Sequence, residues 1–199
     1  PPVLTDGEPQ GAPFDLSADP GTLRQPIRFE LQAGGLLLAT GTIDAGAAER
    51  FRAEIEARGE YVTTVLLNSP GGSVEDALAI SSLIRERKFA TRVEDGGFCA
   101  SSCPIVFAGG EVRIAGERAV VGVHQVFSGS GDRPSPEQAM SSAQSMTARV
   151  SRHLEGMGVA SGLWLHALET PPDRLYYLTF EEMQALKLVT GDTEPSVSG

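Results

Sequence analysis

The chain has 199 residues, 41% hydrophobic and 21% charged, a balance that suits one domain able to bury a core and excludes a disordered chain or a coiled coil. Its formal charge is −10, and of sixteen basic residues only Lys88 and Lys187 are lysines. That argues against nucleic acid as a partner, because such binding rests on neutralising phosphates; and no apolar run approaches the ~18 residues of a membrane helix.

In chain order, residues 1–26 hold six of the thirteen prolines and almost no periodic apolar pattern, which predicts an extended or mobile arm. From 27 to 191, apolar runs alternate with amphipathic segments, the pattern of an α/β domain. Strands are expected at 27–31, 36–42, 61–67, 90–93 and 119–126. Helices are expected at 45–58 and at 73–88, where Ser73 caps and Asp76 supports the first turn. Further helices fall at 101–108, at 135–157 before Gly158, and at 161–169, stopped by Pro171-Pro172. Residues 192–199 form a polar tail. The chain opens on Pro1-Pro2 with neither Met nor a charged-then-apolar leader. The chain therefore reads as trimmed, with any targeting segment, and any membrane association through it, lost from view upstream.

Three segments could carry chemistry. In Leu66-Leu67-Asn68-Ser69-Pro70-Gly71-Gly72-Ser73 an apolar strand runs through Pro-Gly-Gly into a capped helix. Its glycines permit a sharp turn and leave bare N–H groups near a helix start, where an oxyanion is stabilised. In Gly96-Gly97-Phe98-Cys99-Ala100-Ser101-Ser102-Cys103-Pro104 small residues crowd a strand-to-helix junction. A hydroxyl there gains from the positive end of the helix dipole, and the next N–H is available to an oxyanion. In Val120-Val121-Gly122-Val123-His124-Gln125 a β-branched run ends in a histidine, a ring on rigid backbone suited to a base. Each has a plainer reading: a tight turn, a serine helix cap, a hydrogen-bonded structural histidine. His153 and His166 lie in expected helices and are assigned to surface or packing roles. Cys99 and Cys103, the only cysteines, lack a neighbouring His for zinc. They are either reduced core residues or a pair, which would need an oxidising compartment. No metal or cofactor is called for.

Taken together, Asn68-Ser69-Pro70-Gly71-Gly72, Gly97-Phe98-Cys99-Ala100-Ser101 and Val123-His124-Gln125 stand in an order and spacing that resembles the proteolytic subunit of the caseinolytic Clp protease. That family belongs with the signal-peptide-peptidase-A and crotonase-like folds. The likeness covers roughly residues 36–190 and extends to Leu178-Thr179-Phe180-Glu181-Glu182-Met183, similar to the family's final strand and helix. It implies a ClpP/crotonase-like spiral of βαβ units with a mostly parallel core sheet, spanning 27–191. It also implies a serine peptidase acting on peptide or unfolded protein substrates, with Ser101 as nucleophile and His124 as general base. The oxyanion hole would be the N–H of Ser102 with that of Gly71 or Gly72, and Asn68 would fix the turn. Asp173 is the nearest candidate for the triad's acid, about two residues early for an ungapped match, with Glu169 as the fallback.

Cys-Ala-Ser-Ser-Cys is more similar to the family's predicted periplasmic branch than to the cytosolic ring protease. The resemblance thus implies a Cys99–Cys103 disulfide and a periplasmic or otherwise exported protein. Ring-forming subunits carry a Gly-rich strand after His-Gln, whereas 127–134 here is a polar loop. The expectation is a homo-oligomer smaller than a double heptameric ring. Two other readings remain: a binding or assembly module that keeps the fold without catalysis, and a crotonase-like acyl-CoA enzyme. The latter would need basic contacts for CoA phosphates, which the acidic charge disfavours.

Overall fold

The structure is a computed structural model that describes residues 12–126 and 135–191. Outside the described residues lie positions 1–11 of the expected arm, the expected loop at 127–134 and the expected tail at 192–199. The chain builds α1 (Pro20–Leu23), β1 (Arg28–Gln32), β2 (Leu36–Thr40), α2 (Ala47–Arg58), β3 (Thr64–Asn68), α3 (Val74–Glu86) and β4 (Ala90–Val93). Then come β5 (Phe98–Ala100), α4 (Cys103–Ala108), β6 (Arg113–Ala115), β7 (Val120–Val123), α5 (Pro136–Gly156), α6 (Gly162–Glu169), β8 (Tyr176–Tyr177) and α7 (Phe180–Ala185).

A five-stranded sheet runs in the order β1-β2-β3-β4-β6. Only β1 is antiparallel to its neighbour; the other pairs are parallel. A second sheet, β5-β7-β8, pairs β5 with β7 in parallel and adds β8 antiparallel. The mostly parallel α/β core expected from the sequence is present. Within it, side chains alternate as strands require: Leu37, Ala39, Val65 and Leu67 point into the core. Against them α2 packs Ala47, Phe51 and Ile55, and α3 packs Ala77, Ile80, Ser81 and Ile84, each set on one helical face. Ser73 caps α3 as expected, accepting from the Asp76 N–H at 3.2 Å.

The structure differs from expectation along the arm. From residue 12 onward the chain lies on the domain: Ala12, Leu16, Ala18 and Leu23 pack on Phe98, Ala100 and Val120. The Ser17 N–H also donates to the Gly96 carbonyl at 2.8 Å. These contacts cover the second sheet one residue at a time, so they leave no period in the sequence. Strand β6 has no counterpart among the expected strands, whereas β5 and β8, three and two residues long, answer only to the expected strand-to-helix junction and to the final strand that the resemblance implies.

The far edge of the main sheet is held by Arg113 on β6. Its side chain is buried, and its guanidinium donates to the carbonyls of Leu188, Lys187, Gly110, Met157 and Ala108 at 2.8, 2.8, 3.1, 3.2 and 3.4 Å. Its own N–H and carbonyl bind Thr190 and Gly191. Burial, and then the nearby Arg85 cation, pull its pKa down to about 10.

Candidate active site

Register brings the site together. β5 and β7 are parallel neighbours with Ala100 opposite Gly122, so the residues just beyond each strand meet at one sheet end. Ser101 follows β5 directly, its N–H bound to the Gly122 carbonyl at 3.0 Å. His124 follows β7. The His124 Nε2 lies 2.8 Å from Ser101 Oγ, within reach for proton transfer. Ser101 adopts φ +60, a left-handed conformation that a side-chain-bearing residue takes rarely and that turns its hydroxyl out of the chain path.

The two serines have parted roles. Ser102 is buried and donates from Oγ to the Gly72 carbonyl at 3.2 Å, tying the helix start to the Pro-Gly-Gly turn. Neither serine side chain caps α4, which removes the plainer reading of this segment.

The Pro-Gly-Gly turn lies against the same junction. Ser69 bridges Cys99 as a short parallel extension, its N–H reaching the Phe98 carbonyl at 2.6 Å. Asn68 Oδ1 accepts from the Phe98 N–H at 3.0 Å, so Asn68 holds the turn to β5. Gly71 has φ +91, and a Cβ there would fall 2.7 Å from Ser101 Cβ and 2.8 Å from Ser102 N. Only glycine permits that approach. The Gly71 N–H is occupied by Ser69 Oγ at 3.1 Å. Those of Gly72 and Ser102 have no hydrogen-bond partner among the described residues.

The other ring nitrogen, Nδ1, lies 3.1 Å from the Pro172 carbonyl. A carbonyl only accepts, so Nδ1 carries the hydrogen and Nε2 presents its lone pair to the Ser101 hydroxyl. Asp173 is not brought to the histidine: its carboxylate is 74% exposed and sits 3.6 Å from Arg174. Glu169, exposed at the end of α6, has no contact with the ring among the described residues. The spacing that pointed to Asp173 came within one residue of the group the ring meets, but that group belongs to the main chain, which no side-chain pattern reveals. His153 packs its Nε2 on Ser81 Oγ at 2.8 Å, and His166 stacks on Tyr176 at 4.2 Å, packing positions both.

Burial lowers the His124 pKa below its ordinary 6.5, with the Pro172 bond a smaller opposing influence. A general base must be unprotonated. Catalysis that used His124 as its base would therefore be flat above pH ~6.5 and fall through an acid limb centred below that value. A rate profile against pH checks this; a midpoint well above 7 contradicts it. His153 is lowered as well, by burial and then by Arg85. Both rings bind protons more weakly folded than unfolded, so their contribution to stability is complete above ~6.5 and lost as pH falls through the folded values.

Cys99 and Cys103 form a disulfide with Cα atoms 5.1 Å apart, both buried. It spans the elbow around Ser101. The loop it closes is short, so replacing both cysteines by Ala should cost about 2 kcal/mol by the chain-entropy argument, read as a lower denaturant midpoint. Alkylation of the untreated chain under denaturing, non-reducing conditions should add no mass; two added groups would show the bond absent.

The family model for Clp protease matches residues 40–189. No curated protein matches the chain. Among solved structures, a mutant of ClpP1 from Listeria monocytogenes is similar, with a TM-score of 0.61 at 20% identity, over 78% of this chain and 88% of that one. At that identity the likeness speaks for the fold, which agrees with the mostly parallel main sheet described above. With the family model spanning the chain from the end of β2 to beyond α7, the chain belongs to the Clp protease family.

Proposed function

We propose that this chain is a serine peptidase that cleaves peptides or unfolded proteins. The observation that carries the reading is the 2.8 Å contact between His124 Nε2 and the Ser101 hydroxyl at a left-handed elbow. As Oγ attacks a carbonyl carbon, Nε2 takes its proton and later returns it to the leaving amine. The developing oxyanion would meet the N–H of Ser102 and that of Gly72, both without a partner among the described residues. The Gly71 N–H could contribute only by releasing Ser69 Oγ. A buried disulfide beside the nucleophile supports an oxidising, periplasmic or otherwise exported setting. Family membership supports a homo-oligomer, whose size light scattering measures.

A fluorophosphonate probe tests the activity, since it labels an activated serine and ignores a structural one. Labelling of the wild type that vanishes in Ser101→Ala is the expected result; none at neutral pH would overturn the reading. One observation favours a second reading, a binding or assembly module: no carboxylate touches His124 among the described residues. That reading predicts an unlabelled chain.

A further inference from the structure

We propose that the main-chain carbonyl of Pro172 orients His124, so that the centre is a Ser101–His124–carbonyl unit working without a carboxylate. This rests on the serine-hydrolase reading and deepens it. The Pro172 oxygen is the partner of Nδ1 at 3.1 Å, in line to hold the ring while Nε2 faces Ser101 at 2.8 Å. The acid that follows Pro172 directly, Asp173, turns its carboxylate to solvent and Arg174.

The segment that carries this carbonyl is held at several points. Gln125, the residue after the histidine, donates its N–H to the Thr170 carbonyl at 2.9 Å and its side-chain amide to the Leu168 carbonyl at 2.7 Å. Thr170 Oγ1 in turn donates to the His166 carbonyl at 2.7 Å. Two prolines then follow, each with a nearly fixed φ, and the Arg174 N–H closes a turn on the Pro171 carbonyl at 3.3 Å. His124 and Gln125 thus grip one segment from neighbouring positions, and Gln125 is a positioning residue for the ring.

The proton balance follows from the acceptor. When Oγ attacks, its proton passes to Nε2 and the ring becomes imidazolium. The Nδ1 proton stays on the ring, because an amide carbonyl cannot take it, and returns to an ordinary hydrogen bond when Nε2 releases its proton to the leaving group. A carbonyl supplies the tautomer and the aim that a carboxylate would, but only a dipole to stabilise the cation.

The test pairs fluorophosphonate labelling rates with ring-nitrogen NMR of the full chain carrying 15N-histidine, above pH 7. The expected His124 pattern is Nδ1 protonated and Nε2 bare, in the wild type and equally in Asp173→Asn and Glu169→Gln. Both variants should label within about twofold of the wild type, whereas loss of a true triad acid costs up to ~10⁴-fold. Gln125→Ala should slow labelling by about tenfold and shift the ring toward a mixture of tautomers, since small misplacements cost rate steeply; a merely structural Gln125 would leave the ring pattern unmoved. A hundredfold loss in Asp173→Asn or Glu169→Gln, or a wild-type ring protonated at Nε2, overturns the proposal. Should the wild type not label at all, the hydrolase reading fails, and the ring pattern in wild type and Asp173→Asn still decides what orients His124.

Discussion

Ser101→Ala and His124→Ala should each remove about four to six orders of magnitude from peptide or ester turnover, with the double variant scarcely worse than either. The reason is mechanical. Without the imidazole the hydroxyl keeps its proton, and without the hydroxyl the imidazole has nothing to activate, so the two changes remove one function. Residual rate would come from binding and from the N–H groups of Ser102 and Gly72, which neither substitution touches. Rates for the two single variants and the double variant on one substrate give the answer. Losses that multiplied would show that Ser101 and His124 act separately, despite standing 2.8 Å apart.

Arg113→Met should be the most damaging single change to stability away from the site, at about 3–5 kcal/mol, the cost of leaving buried polar partners without their charged donor. Met fills much of the space but donates nothing, so the carbonyls of Lys187 and Leu188 lose the guanidinium that holds them. Those of Ala108 and Gly110 keep Arg85 as a donor, which limits the loss. At roughly 2–4 °C per kcal/mol for a domain this size, the melting temperature should fall by about 6–20 °C. Arg113→Lys should recover little, because an ammonium is a compact point donor and cannot span the set of carbonyls a planar fork reaches. Thermal unfolding followed by circular dichroism measures both. A fall of less than about 2 °C in Arg113→Met would mean that the C-terminal segment is held by other contacts.

Much of the site was legible because its parts need particular residue types. Gly71 must be glycine, since its left-handed turn brings its Cα against Ser101 and Ser102, and such a need shows in a sequence as Pro-Gly-Gly between a strand and a helix. His124 could be named because it ends a β-branched run, where rigid backbone meets a cleft, and Ser101 because small residues crowd the junction of a strand with a helix. Resemblance, more than local pattern, selected Ser101 over Ser102, since both stand at the same junction and both could have been caps. The cysteine pair was permitted by spacing and left open by it.

Residue type, then, carried the α/β class, the helix and strand positions of the longer elements, and the order of the three chemical segments, because these follow from local periodicity and from glycine's conformational range. Tertiary pairing was needed for everything that rests on main-chain atoms. It assigned the Ser69 oxygen to the Gly71 N–H and left the Gly72 N–H without a partner among the described residues. It packed residues 12–23 on the second sheet and gave Arg113 its carbonyls. It also put the Pro172 carbonyl where a carboxylate was expected. Every residue carries the same C=O, and every residue but proline the same N–H, so a contact made by them leaves no mark in the sequence, and only the path of the folded backbone says which of them reaches the histidine.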